Sequence, residues 1–406
     1  MMNRIVVILS IVFLSSLCAP AQEKRSFWDH GLGKFLKSAD EMLDRWQEEG
    51  VDTNYIRKPK LSRMVYLGYY GYFQQHDITF PVLVKDTDIP FTEYMPPNFA
   101  EKKYMKADMH TYQSEIELGI DWRGISIELP IPIRNRYSKS FGLAKNGSVW
   151  GARIRYKSLN NMEGVLDDAY NQATKQWVNN FANETHDPAI TSESTIPEGQ
   201  IDLKIFYVEG YYVFNHKRFS LAAGAYGDMV QKRSAGSVFV MGNYYQSRFG
   251  ANNLFNYERD IFFNKKVSLG AGYGYNWAIN GGKLCVHVSV IPMISIWNQL
   301  YHHGEDYSDP YAYAGEDEND PIKRANLIET ERQLWSDYDA HYYDAVDNGR
   351  SRFMFNCYGR VAVSYSFDRY LLNFLANYRQ YLYRNNAGTK INNREADVQV
   401  NFGMRF

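Results

Sequence analysis

Cys285, His287 and Ser289 stand two residues apart within Leu284 to Ile296, where period-two hydrophobicity predicts a strand. Alternate strand residues share a face, so a nucleophile and a base lie side by side. Their backbone positions are about 7 Å apart, so no direct serine-histidine hydrogen bond is expected, and no acidic partner can be assigned. A barrel hydrolase built here is a second alternative only, and no catalytic residue is predicted. His302, His303, Glu305 and Asp306 form a cluster in a long loop. Adjacent histidines converge poorly on one ion, and no helical His-Glu-x-x-His spacing is present, so no metal site is expected. Gly270, Gly272 and Gly274 occupy strand positions rather than a turn into a helix, which rules out a phosphate loop. They are places where the N-terminal segment or a neighbouring side chain can approach the wall. No cofactor is called for. The strongest polar constellation is Glu115, Glu117 and Glu128 followed by Arg153, Arg155 and Lys157, opposite charges expected to meet across adjacent strands. Buried, they would either close an interior or form a constriction that selects small charged solutes.

The elements that must carry these groups are legible at the end of the chain. Ala396, Val398, Val400, Phe402, Met404 and Phe406 alternate without a break with Asp397, Gln399, Asn401, Gly403 and Arg405. An apolar face and a wet face on one strand is the pattern of a transmembrane β-barrel. The ending resembles the C-terminal signal of bacterial outer-membrane barrels, and an edge strand of a soluble sandwich is the competing reading. Period-two stretches bounded by turn residues predict an all-β fold: an antiparallel barrel of about twelve strands, range ten to fourteen. They run over 61–73, 112–121, 125–133, 148–159, 201–214, 219–230, 238–249, 267–277, 284–296, 352–366, 370–383 and 396–406. Ile116, Leu118, Ile120, Ile127 and Leu129 are assigned to lipid because a charge at mid-bilayer costs about 2 to 4 kcal/mol, most for arginine and lysine. In 201–214 Asp202 and Lys204 fall on one face and Glu209 on the other, which a bulge would reconcile.

Three regions follow. Residues 1–21 read as a signal peptide, with Arg4, an apolar run from Ile5 to Leu17, and Ala19-Pro20-Ala21 placing cleavage before Gln22. A lipoprotein through Cys18 is the weaker option, because Leu17 is bulky. Residues 22–59 form an N-terminal periplasmic helical segment, with Phe27, Leu32, Phe35, Leu36, Ala39, Met42, Leu43 and Trp46 at helical spacing. Residues 60–406 form the barrel, with long loops at 74–106, 160–200 and 298–351. Beyond the leader no apolar run reaches the length of a membrane helix. Two cysteines remain in the mature chain, Cys285 and Cys357, too few for a disulfide framework. A net charge of -1 argues against a nucleic-acid partner. The 33 tyrosines and 8 tryptophans suit a membrane interface. Trp122, Phe214, Phe219, Trp277, Phe367, Tyr370 and Phe406 lie beside short turns and are expected to form a periplasmic aromatic girdle. One inconsistency remains: strict alternation through these twelve strands puts loop 160–200 on the periplasmic side and the Asn215-His216-Lys217 turn outside. Two further strands, near Trp177 to Phe181 and Phe255 to Phe263, would remove it.

Several segments resemble an uncharacterised family of outer-membrane barrels from the Bacteroidetes, known as a domain of unknown function. They are Val51-Asp52-Thr53-Asn54-Tyr55-Ile56; Tyr211 to Asn215 with Lys217-Arg218-Phe219-Ser220; Gln231-Lys232 with Ser234 to Ser237; and Gly272 to Trp277. The resemblance implies a barrel and an outer-membrane address, and brings no activity or catalytic residues. The expected function is therefore that of a non-enzymatic outer-membrane barrel with a structural or surface-binding role through its extracellular loops. A narrow porin for small charged solutes is the alternative. Its expected partners are outer-membrane lipid, the barrel-assembly machinery through the C-terminal strand, and an unidentified extracellular ligand.

Overall fold

Alternation of small or polar with apolar residues generates twelve strands that pair antiparallel in chain order and close on themselves. The computed structural model describes residues 50–82, 103–133, 138–167, 193–196, 198–252, 259–305, 342–347, 354–367, 369–384 and 389–406. The barrel strands are β1 (Arg63–Val82), β2 (Lys103–Trp122), β3 (Ile125–Pro132), β4 (Lys139–Lys145), β5 (Trp150–Leu159), β6 (Ile201–Val213), β7 (Ala235–Asn252), β8 (Arg259–Ile279), β9 (Leu284–Glu305), β10 (Phe355–Phe367), β11 (Tyr370–Arg384) and β12 (Lys390–Arg405). β12 pairs with β1 from Arg405 opposite Met64 to Lys390 opposite Thr79, which closes the seam. Closure leaves no open edge in the barrel, the condition for a sheet to sit in lipid. The expected leader, Cys18 and the helical segment to Glu49 lie outside the described residues.

The outer face carries the apolar residues and the inner face the polar ones. Leu67 and Val290 are 55% and 54% exposed, whereas Glu117, Ser268, Asn276, Arg360 and Asp397 are at most 2% exposed. β3, β4 and β5 are short, and the outer half of β2 is covered instead by the strand Glu163–Asp167, itself paired with Glu193–Ile196. β1, β8 and β9 run on past their expected ends, so strand replaces the beginnings of the loops placed at 74–106 and 298–351. β6 holds a continuous register with β7 and needs no bulge. Asp202 and Lys204 face outward at its far end, while Glu209 faces inward.

The count of twelve is right, but one expected member is not a strand and one true strand was not expected. Lys139–Lys145 is a strand that hydrophobic patterning leaves unmarked, because it is only seven residues long and its inward residues Gly142 and Ala144 are small. Phe219 to Val230 is not a strand. It folds back into the barrel around one turn of π-helix, Ala222–Tyr226, and every residue from Phe219 to Val230 is buried. Exchanging one for the other removes the topological inconsistency. The connections 160–200, 253–258 and 306–354 then share one end of the barrel, and the short turns 123–124, 280–283 and 368–369 the other. No additional strand is needed: of Phe255 to Phe263, the part from Arg259 on belongs to β8, and 255–258 and Trp177 to Phe181 lie outside the described residues.

Candidate functional site in the lumen

The ionic layer across the middle of the barrel begins with the charges singled out in sequence. Glu128 on β3 accepts from Arg155 on β5 and lies 3.5 Å from Arg153. These strands are not neighbours, contrary to expectation, because β4 stands between them. The register aligns Glu128 with Gly142 and Gly142 with Arg155, and a Cβ on Gly142 would overlap the Glu128 carboxylate. The missing side chain is what lets two long side chains meet over the intervening strand. Arg155 is also 4.0 Å from Glu117, whose carboxylate accepts from Gln399 of β12, reaching over β1. Glu115 accepts from Ser140 at 2.9 Å. Lys157 donates to the Tyr70 hydroxyl at 2.6 Å and lies 3.0 Å from the centroid of the Tyr72 ring.

The layer continues around the wall through Glu209, Arg360, Asn377, Arg379, Glu395 and Asp397. Arg360 lies 3.4 Å from Glu209 and donates through Nε to Asn377 Oδ1 at 2.9 Å. Asn377 donates to Asp397 at 2.7 Å, and Arg379 bonds Asp397 at 2.5 Å with Glu395 at 3.8 Å. Alternation within β10, β11 and β12 could have placed these side chains inward; Asn377, Arg379, Glu395 and Asp397 pair through the register of neighbouring strands, and only Arg360 with Glu209 reaches across the lumen. Lys266 is different. Its ammonium is 1% exposed, donates to the Leu382 carbonyl at 2.9 Å, and meets no carboxylate among the described residues. Two cavities bordering this layer, one by Tyr70, Lys157 and Arg379 and one by Glu128, Tyr226 and Asn373, have room for only about one or two water molecules each.

Below the ionic layer the inward-folded segment 214–234 fills the barrel as a plug. Its main-chain carbonyls are gripped by wall side chains: Asn276 donates to Ser220 at 2.8 Å, Ser364 to Gly224 at 3.4 Å, Asn373 to Ala225 at 3.2 Å and Arg405 to Gly227 at 2.7 Å. Gly224 approaches so closely that a Cβ would overlap the Asn276 amide, and Gly227 turns at φ 73° against Leu371. Tyr226 enters the ionic layer, with Arg153 4.8 Å and Arg360 5.2 Å from its ring centroid. Asn146 donates to Asp228 at 2.7 Å; burial, and then nearby Asp121, hold the Asp228 carboxyl well above the usual carboxylate range. From below, Ile56–Arg57 pairs with Val230–Gln231, Asp52 N donates to the Lys217 carbonyl and Lys232 Nζ to the Thr53 carbonyl. The stretches that carry the family resemblance therefore meet in one place, the plug and its seat.

His287 and Ser289 do touch. His287 Nε2 is 3.0 Å from Ser289 Oγ, and Nδ1 is 2.7 Å from Asn276 Oδ1. Side chains that lean toward each other close a gap their backbones leave open. Asn276 spends its amide protons on Ser220 and Gln231, so its oxygen accepts from Nδ1 and the serine donates to Nε2. The group is sealed: His287 is fully buried with Phe219 of the plug against it, ring centroids 6.1 Å apart. Gly274 receives the same Phe219 ring, so it is the plug, not the N-terminal segment, that approaches the wall here.

Trp122, Phe214, Trp277, Phe367, Tyr370 and Phe406 lie on the outward face at the short-turn end, with Phe367 and Tyr370 rings 5.4 Å apart. Phe219 leaves the expected girdle, because the backbone after Phe214 turns inward and carries it to full burial. Cys285 faces the interior and Cys357 the outside of the adjacent strand, and both are free. His302, His303 and Glu305 belong to the far end of β9, Asp306 lies outside the described residues, and among the described residues no group of three metal-ligating side chains converges.

The model of one family, described as a domain of unknown function (DUF4421), matches residues 110–406. No curated protein matches the sequence. Similar solved structures include the outer-membrane protease OmpT from Escherichia coli, at 8% identity and a TM-score of 0.39 over 86% of this chain and 98% of that one. The translocator domain of the autotransporter NalP from Neisseria meningitidis gives 10% identity and 0.26 over 92% and 97%. The toluene transporter TodX from P. putida gives 6% and 0.20 over 86% and 91%. Likenesses of this strength carry no argument about what this chain binds or does.

Proposed function

From the premise that the chain belongs to the DUF4421 family, a domain of unknown function, we propose that it is a bacterial outer-membrane barrel closed by its own interior, with a structural or surface-binding role and no steady conductance. The short turns and the plug then face the periplasm, and the long connections face outward. Lipid contacts the apolar wall, and the terminal strand is the element offered to the assembly machinery.

The observation that carries the proposal is the filling of the lumen. The plug occupies one half, held through four main-chain carbonyls, and a layer of mutually compensated charges spans the middle. Ile78, Met109, Leu159, Leu203, Phe249 and Leu300 gather as a buried apolar cluster toward the long-connection end. A narrow porin needs a continuous wet path, whereas the two cavities beside the ionic layer have room for only about one or two water molecules each. Ser289 and His287 serve on this view as a fastening: a hydrogen-bonded series from Ser289 through His287 and Asn276 ends on the plug's Ser220 carbonyl.

The test is single-channel recording of the folded chain in a planar bilayer. The baseline should stay flat across applied voltages. A reproducible ohmic step from the purified barrel would reject closure and favour the small-solute channel.

A further inference from the structure

Alternation of apolar and polar residues fixes the register of a barrel strand only up to steps of two. A slip of one residue turns every side chain to the wrong face, but a slip of two keeps lipid and lumen faces intact. Something besides hydrophobic pattern must choose among the even registers, most of all at the seam, where no hairpin turn joins β12 to β1.

The plug supplies a set of fixed acceptors for that choice. The last three strands each aim one inward donor at it, and the acceptors step along its backbone: Ser364 of β10 to Gly224, Asn373 of β11 to Ala225, Arg405 of β12 to Gly227. The plug is anchored independently by earlier parts of the chain, with the Ser148 and Ser220 hydroxyls 3.2 Å apart, Asn146 on Asp228, and Ile56–Arg57 paired to Val230–Gln231. A two-residue slip would carry a donor about 7 Å along the strand, out of hydrogen-bond reach. Arg405 would also lose Ser366, to which its other nitrogen donates at 2.7 Å. We infer that the plug is a register template: it selects the alignment of β10, β11 and β12 and so determines how the barrel closes at the β12–β1 seam.

The inference does not depend on conductance or on which end faces the cell exterior. It is tested with paired cysteines on the outward face of the seam, in a background with Cys285 and Cys357 replaced by alanine. Phe402 is aligned with Leu67, and Tyr69 is the position two residues away. Phe402→Cys with Leu67→Cys reports the native register, and Phe402→Cys with Tyr69→Cys reports the slipped one. With wild-type donors only the native pair should crosslink after folding. Removing donors as Ser364→Ala, Asn373→Ala and Arg405→Met, singly and together, should raise the slipped product by about tenfold for each hydrogen bond lost. Gly224→Val leaves all three donors in place but displaces the plug, and should give the same slipped product. Native crosslinking alone in every single variant and in Gly224→Val overturns the inference, whether or not the triple variant folds.

Discussion

Gly142→Ala is a one-carbon change with a large expected cost. The added Cβ falls on the Glu128 carboxylate, with the Glu128 Cβ itself at 3.0 Å, so the carboxylate must leave its position between Gly142 and Arg155. Breaking one side of a buried ion pair costs about 3 to 5 kcal/mol. Arg155 keeps Glu117 at 4.0 Å and Glu128 can keep Arg153, which argues for the lower end. An alanine also relieves the unfolded-chain entropy of glycine by about 0.4 to 1 kcal/mol. The net expectation is a loss of about 2 to 3 kcal/mol, which is roughly a thirty- to 150-fold fall in the folding constant. The assay is equilibrium denaturant unfolding in lipid vesicles, run as a cycle with Glu128→Ala. With the carboxylate gone there is nothing for the methyl to displace, so Gly142→Ala should be neutral or slightly stabilising in that background. Equal cost in both backgrounds, or no cost in either, would refute the account of Gly142 as the opening through which Glu128 reaches Arg155.

Other substitutions separate paired from unpaired charge. Arg360→Met should cost about 3 kcal/mol or more because it strands buried Glu209, whereas Lys266→Met, which leaves only the Leu382 carbonyl behind, should be neutral or stabilising by about 1 to 2 kcal/mol; the two denaturant midpoints, compared side by side, decide it. In detergent, a small maleimide should label Cys357 and spare Cys285 until the barrel is unfolded, as counted by intact mass. Labelling of Cys285 in the folded state would contradict the packing of the β9 wall around it.

Period-two hydrophobicity revealed the barrel because in lipid the penalty for a misplaced charge is paid strand by strand, and each strand therefore records it locally. β12 and the β2–β3 hairpin are the clearest cases. β4 left little record, since its inward Gly142 and Ala144 are small to make way for Glu128 and Arg153. Phe219 to Val230 left a false one: a segment buried on every side is apolar without period, and apolar runs of that length imitate strands. The six charges on β2, β3 and β5 were visible, but Arg360 with Glu209 was not, because contacts across a lumen depend on which strands the closure sets opposite one another; Arg379 and Asp397 sit on neighbouring strands, and their contact follows from the β11–β12 register. His287 and Ser289 failed in the other direction. Backbone spacing forbade a contact that side-chain tilt permits.

The wall holds the plug by its main chain, and peptide carbonyls are the same whatever side chains accompany them. That part of the grip is blind to side chains and sensitive to how closely the plug can approach, while Ser220, Tyr226 and Asp228 are held through their side chains as well. At the positions held only by their carbonyls a relative could exchange side chains freely, provided that the position corresponding to Gly224 stayed bare, because a methyl there would fall on the Asn276 amide.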